Sequence, residues 1–536
     1  MAYQGFLIAN YNTGLHTTKE PWMAPQDAFV TLENARCEDG ILSKRGGTSQ
    51  LAQMIHGAAV QTTTVTGLHC HTALGRSYLL ACDTARPNVL DLDSSAMVDV
   101  SGGSDIFSGG NVDLFWFLTH DDKTYMCNFQ DGIFVFTGST YDPTSPAAVA
   151  ELDLSTSLTT SAKMNTVQQM YHLNDRLLVY NIVDDGQSKP FRLRYSQTLA
   201  RGNTPVFTAG NYLDVPTDDK PVTGRRLGRY IYLWHDKSLW MIRPTGDSDI
   251  PFKPDIIRGD LGSTSPKVCV PYEKGFLTVG HKDLIHFDGY ETKKMNLPHL
   301  NNILDQFAFA ALKYSWGTYD EPNQRIYITF AASGSTLPDR VLEYDITGKK
   351  MAIHKIPAHT MAMYNGSKII AWDDADVAYT GSDGALLSAM PISGATDVLG
   401  GEEWYPCYGG RDGFLYRMFT GTNDQNVKYD FTALSARLNP FTKQGKRCAL
   451  GRVAVLVDND SGAAFTISLY KNTSTTAYKT QSISCDGTGD KFWVSMHAGG
   501  EIGDFHQIKF SNDILDSSPV IHATWLEMEP AGHIDP

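Results

Sequence analysis

The chain has 536 residues, with 45 Lys and Arg against 59 Asp and Glu, a formal net charge of −14, and 11% aromatic beside 19% charged residues. That balance argues against a protein that grips nucleic acid by phosphate neutralisation, which needs a basic face, and leaves open nucleic acid passing acidic or neutral walls. No apolar run approaches the roughly 18 to 20 residues that span a bilayer as a helix, and Met1-Ala2-Tyr3-Gln4-Gly5 lacks the layout of a signal peptide.

In chain order, the stretch from Pro25 to Arg36 alternates as a strand, turns at Glu38-Asp39-Gly40 and returns through Ile41 to Gly47. An Asp-Gly pair between two such runs is a strong hairpin signal. From about residue 60 to 425, strand-turn-strand units recur. Tyr125-Met126-Cys127 returns through Ile133 to Phe136; Tyr230 to Trp234 returns through Leu239 to Ile242; Phe276 to Val279 returns through Leu284 to Phe287. Further copies are read at Tyr78 to Leu92, Leu177 to Tyr195, Ile326 to Tyr344 and Ile369 to Tyr379. Equivalent points fall roughly 40 to 55 residues apart, the spacing of propeller blades. Pro298 to Gln306 is the best short-helix candidate, and Pro146 to Leu152 a possible second turn of helix. Tyr408 to Arg417 is the last blade-like hairpin, built on Asp412-Gly413 and followed by the polar break Gly421-Thr422-Asn423-Asp424.

Seven short strands then follow: Tyr429 to Leu438, Leu450 to Val457, Ala464 to Tyr470, Tyr478 to Ser484, Lys491 to Ser495, His506 to Phe510 and Val520 to Met528. About a hundred residues patterned this way suggest a β-sandwich. The expected fold is all-β: an N-terminal arm and hairpin over 1–60, a β-propeller of roughly six to eight blades over 61–425, and a C-terminal β-sandwich-like domain or further propeller-associated strands over 426–536.

Motifs for chemistry are sparse. The eight cysteines form no C-x-x-C pair and read as buried free thiols. His69 and His71 flank Cys70 on one strand face, a possible metal pair without an evident third ligand, and read better as ordinary strand histidines. Ser382-Asp383-Gly384 stops short of a sialidase-type turn and reads as a blade turn. Asp458-Asn459-Asp460-Ser461-Gly462 has the oxygen density of a calcium loop but lacks the closing glutamate and reads as a hairpin turn. Arg258-Gly259-Asp260 is a chance triplet. No phosphate-cradling Gly-rich loop and no Gly-x-Ser-x-Gly elbow is present, although groups assembled from distant strands escape such a search.

At two places the chain resembles a family. Pro25 and Asp27-Ala28, leading through a strand to Gly40-x-Leu42-x-Lys44-Arg45-Gly46-Gly47, look like the N-terminal arm of tail proteins from short-tailed bacteriophages. The closing section is similar to the same family. It runs from Gly409-Gly410-Arg411-Asp412-Gly413 through Lys446-Arg447, Val453-Ala454-Val455, Ile467 to Tyr470 and Ile508-Lys509-Phe510 to the stretch Trp525 to Gly532.

The resemblance is to tail tubular protein B-like tail nozzles and head-to-tail stoppers. It implies a homo-hexameric virion ring around a channel that retains double-stranded DNA and lets it pass on ejection, without sequence-specific binding. Implied partners are connector, adaptor or portal proteins and tail fibres or spikes, with assembly in the host cytoplasm. It carries over no catalytic, cofactor or metal residues, and the chain is expected not to be an enzyme.

Lys44 and Arg45, at the hairpin end, are the candidate assembly residues. The arm would pack on a neighbouring subunit or connector, or equally supply closing strands of the last blade. The loops Asp142 to Pro146, Pro244 to Lys253 and Gly334 to Asp339 are candidates for a channel constriction or fibre contacts. The alternative class is a carbohydrate-binding or carbohydrate-cleaving propeller, which would need an aromatic-lined pocket and, for cleavage, paired carboxylates.

Overall fold

The structure, a computed structural model, describes residues 3–534 apart from 18–19, 74–75, 92–95, 138–148, 153–163, 201, 274, 282, 296–302, 366–403, 459–462, 486 and 488. The copy at Ile369 to Tyr379, the turn Ser382-Asp383-Gly384 and the loop Asp142 to Pro146 lie outside the described residues, as do the first three residues of the possible helical turn at Pro146 to Leu152, whose described part is instead a short strand, Ala150–Glu151, paired with Phe134–Thr137.

Hairpins form where the sequence places polar residues able to take positive φ. Asp39-Gly40 (φ 47° and 79°), Asp121-Asp122 (51° and 56°), Asn174-Asp175 (49° and 52°) and Asp185-Gly186 (52° and 70°) each turn one strand back on the last. Positive φ at both central residues matches the right-handed twist of the strands they join. Between these turns the runs are often apolar on both faces: Gly275–Val279 is buried throughout and Tyr230–His235 at five of six positions. Strands covered on both sides read as continuous apolar runs, and the covers here are the neighbouring sheets.

The sheets are four-stranded antiparallel meanders. Blade 1 begins with Gly67–Ala73, blade 2 with Trp116–His120, blade 3 with Met164–Leu173 and blade 4 with Pro221–Leu227. Blade 5 begins with Cys269–Tyr272, blade 6 with Gly317–Asp320 and blade 7 with Thr360–Asn365. Each of these first strands touches the next, and the seventh touches the first, so among the described residues they close a ring of seven. The chain is an all-β propeller. Blade 7 takes three strands from the end of the repeat region and its fourth from near the N-terminus: Thr48–Gln53 pairs antiparallel with Phe414–Met418. One blade is thus shared between distant parts of the chain, and its pairing fastens the ring.

The C-terminal strands form a two-sheet sandwich, but not alone. One sheet runs Ala35–Glu38, Ile41–Lys44, Val520–His533, Lys446–Val457, Phe492–Gly503, with Gln4–Ile8 also on Val520–His533. The other is continuous with blade 6. Its strand Lys350–His354 meets Ala28–Glu33 in parallel at Ile353 and Glu33, and Phe431–Ser435, His506–Asn512, Ala464–Lys471 and Lys479–Ser484 follow.

The arm expected as a separate unit is therefore part of the sandwich and of blade 7. Its expected single strand breaks at Asn34 (φ 53°), whose amide donates to the Asp430 carbonyl while its oxygen accepts from Lys355 N–H. The residues before this corner join one sheet and those after it the other. One apolar core spans both sandwich sheets, through Phe29, Leu42, Val453, Phe465, Phe510 and Leu526, and runs on into blades 5 and 6 through Leu277 and Ile328. The helix candidate appears as a 3-10 turn, Ile303–Gln306, followed by a second, Phe309–Tyr314. No described helix is long and apolar enough to cross a membrane.

Candidate functional site

Lys44 and Arg45 are buried within their own chain, at 4% and 1% exposure, and do not reach outward as assembly residues would. Arg45 donates from both terminal nitrogens to the Asp424 carboxylate at 2.9 and 2.6 Å and from Nε to Asn34 Oδ1 at 3.0 Å. Its guanidinium lies 4.0 Å from the centre of the Tyr429 ring, which also faces the Lys44 ammonium at 4.1 Å. Lys44 donates to Asn512 Oδ1 and to the Ser517 carbonyl, and burial brings its ammonium down to about 8.

The polar break at Asp424 is thus the acceptor for the Lys-Arg pair, and the outcome is the second of the two roles expected of the arm. The two glycines that follow allow close approach. A side-chain carbon on Gly47 would lie 1.9 Å from the Asn423 carbonyl oxygen, and one on Gly46 2.5 Å from the Phe419 carbonyl carbon. Beside this clasp, Arg36 donates to the buried Glu343 at 2.6 and 2.9 Å, and neutral His354 donates from Nε2 at 2.9 Å. Burial pushes the Glu343 carboxyl up, but Arg36, the His354 hydrogen bond and Arg325 outweigh it and hold it well below the usual range.

The second candidate lies on the propeller axis, a cavity of about 280 Å³ lined by first strands or their approaches. His69 enters from blade 1, Trp116 and Phe117 from blade 2, Arg225 from blade 4, Lys267 just before blade 5, Trp316 just before blade 6, and Met361 and Met363 from blade 7. Among the described lining residues there is no Asp or Glu. The Lys267 ammonium sits 4.8 Å from the Trp116 ring centre and 5.9 Å from that of Trp316, within cation–π range.

Burial brings Lys267 down to about 7, and Arg225 pushes in the same direction. His69 faces the cavity but is otherwise enclosed; burial, then His71 and Arg225, brings it to about 3, so it is neutral and hydrogen-bonded through Nε2 to Thr119 Oγ1. His71, the other half of the possible metal pair, instead bonds Thr124 Oγ1 through Nδ1. No group of three metal-ligating side chains occurs among the described residues.

The remaining candidates are dispersed. Arg258 pairs with Asp260 on the surface. Asp458 accepts from His522 Nε2 at 2.7 Å, while 459–462 lie outside the described residues. All eight cysteines are free thiols, six of them buried. The described loops that are candidates for a channel constriction or fibre contacts leave from opposite faces of the ring. Residues 245–251 join the third and fourth strands of blade 4, and 331–339 join the second and third of blade 6.

Sequence reasoning missed the axial pair Arg225 and Lys267. The available signal was a basic residue in or just before the first strand of two successive blades, Arg225 in Pro221–Leu227 and Lys267 ahead of Cys269–Tyr272.

No protein-family model matches the chain, and no curated protein matches it. Among solved structures it is similar to the Saccharomyces cerevisiae protein Sqt1, at TM-score 0.36 and 8% identity over 70% of this chain and 99% of that one. It is also similar to the computationally designed Ika8 protein, at 0.34 and 7% over 69% and 99%. A third is an exo-β-1,3-galactanase from Phanerochaete chrysosporium, at 0.27 and 8% over 80% and 97%. The expectation that the chain is not an enzyme is withdrawn as a correction, with an exo-β-1,3-galactanase among the matched structures. At these scores the likenesses carry no argument for a particular activity, and the architecture rests on the strand pairing itself.

Proposed function

We propose that this chain is the subunit of a ring in the tail of a short-tailed bacteriophage, a nozzle or head-to-tail stopper through whose lumen DNA is retained and then passed. The observation that carries the reading is the clasp. The two cassettes in which the resemblance lies, Gly40 to Gly47 and the section from Gly409 onward, meet in space, where Arg45 pairs with Asp424 and Ile41–Lys44 pairs with Val520–His533. Residues 379 positions apart that build one contact behave as a single structural signature.

The clasp also makes propeller and sandwich one stiff wedge, as a heterologous ring contact requires for closure. The axial cavity of the single propeller, about 280 Å³ and filled from several blades, is far too small for a duplex. DNA would pass between subunits, along walls whose net acidity spares it a tight phosphate grip. Connector or portal proteins above and fibres or spikes below are the partners this placement requires, and the virion is where the ring would work.

Native mass spectrometry with negative-stain imaging, on the chain alone and mixed with phage connector protein, tests the reading. A ring of six with a central hole, alone or only on the connector, is the expected result. A stable monomer that ignores the connector overturns it. Galactan and mixed-glycan release assays on the same sample address the carbohydrate alternative, and release of sugar by that monomer would establish it.

A further inference from the structure

The axial cavity holds more positive charge than its surroundings satisfy. Lys267 and Arg225 both line it, and neither side chain donates a hydrogen bond to, or forms an ion pair with, any described residue. Both side chains are half-buried, and an ammonium carries three donors and a guanidinium five, so what fills the cavity must accept from them. The Trp116 and Trp316 faces meet part of this need for Lys267, but two cations in one cavity also repel. An anion between the two cations would accept from both and offset their mutual repulsion.

The walls add a second requirement. Trp116, Phe117, Trp316 and Met361 are broad, apolar or aromatic surfaces, which suit a planar or greasy body better than a bare hydrated ion. At about 280 Å³ the space is at the low end for ligand pockets, so the occupant is small.

We propose that the propeller axis is a binding site for a small organic anion, its carboxylate or phosphate head between Lys267 and Arg225 and its apolar body against Trp116 and Trp316. The site is independent of the tail reading and would serve any propeller with this axis. Its affinity depends on pH through Lys267. The groups facing that ammonium are Arg225, which opposes its charge, the Cys127 thiol, which favours it weakly, and the two indoles. His69, held neutral across the cavity, contributes no charge. Because an anion favours protonated Lys267, binding strengthens as pH falls through about 7.

Calorimetric titration of the full chain with benzoate, inorganic phosphate and the neutral isostere benzamide tests this. Saturable benzoate binding with Kd below about 10 mM, at least tenfold tighter than benzamide and tighter at about pH 6 than at about pH 8.5, is expected. Phosphate binding without benzoate binding would overturn the apolar body of the site, and equal binding of benzamide would overturn the anion head. Lys267→Met keeps the bulk and removes the charge; it should lose at least about tenfold in benzoate affinity while melting no lower than the parent. Arg225→Gln is the second variant, with the same loss expected. Unchanged affinity in a folded variant, or no saturable binding of either anion by the parent, sinks the proposal.

Discussion

Arg45 is charged and almost wholly enclosed, so its energetics are those of a buried pair. Removing one partner strands the other charge, whereas removing both can be nearly neutral. Arg45→Met should therefore cost about 3–5 kcal/mol, because Asp424 loses both guanidinium hydrogen bonds, and Arg45→Met with Asp424→Leu should cost clearly less. Denaturant melts of the four species measure this, and additive losses would show that the contact is not a coupled pair.

Buried imidazoles set a second expectation. Burial lowers His71, His172, His235 and His354 to about 4 each from about 6.5, and lowers His69 further. Between those values the unfolded chain binds protons that the folded chain does not, so stability rises with pH there. The melting temperature should fall steadily from about pH 6.5 to pH 4, ahead of the loss of the Glu343 network, whose contribution is full only above the ordinary carboxylate range. A flat profile between about pH 6.5 and 5 would contradict the neutral, buried state of these rings.

At the level of strands, the closure of the ring is the contact on which the rest depends. Thr48–Gln53 meets Phe414–Met418 with Gln53 opposite Phe414, and that pairing supplies the fourth strand of blade 7. A Gln53→Cys, Phe414→Cys pair would close a loop of most of the chain. Such a bridge removes at most about 6 kcal/mol of unfolded-chain entropy and in practice less. The oxidised protein should melt several degrees above the reduced one, by scanning calorimetry with and without reductant. Failure of the bond to form, or no difference in melting, would mean that these strands do not pair.

The hairpins on either side were legible from the sequence because turn chemistry is local: Asp39-Gly40 and Asp412-Gly413 announce themselves. The closure was not, because Thr48–Gln53 alternates like any half-buried strand and nothing within it names a partner more than 360 positions away. Asn34 was invisible for a related reason. An asparagine in a β-rich run reads as a tolerated strand residue until its side chain is seen holding Asp430, Arg45 and Lys355 together.

In the molecule as a whole, periodicity revealed repeated blades, present wherever the copies fall on described residues, and seven C-terminal strands, but could not show that the sandwich borrows strands from the other end of the chain. Nor could it bring Arg225 and Lys267 to one axis, since convergence of first strands is a property of the closed ring and not of any blade. The sharing has a consequence for folding. Without the residues before 46, the sheet holding Lys446–Val457 loses Gln4–Ile8, Ala35–Glu38 and Ile41–Lys44, while the other loses Ala28–Glu33, its link to blade 6.

A sandwich stripped this way has new open edges at Val520–His533 and Phe431–Ser435 and loses the cover that Phe29 and Leu42 give its core, and open edges are sites of aggregation and not of stable termination. Expressed alone, 426–536 should therefore show no cooperative melt, and co-expression of 1–46 should restore one. The intact chain should melt in a single transition, because one core runs from the sandwich into blades 5 and 6. A cooperative melt of the isolated fragment would show instead that the N-terminal strands decorate an independent domain, and the single stiff wedge on which ring closure depends would have to be given up.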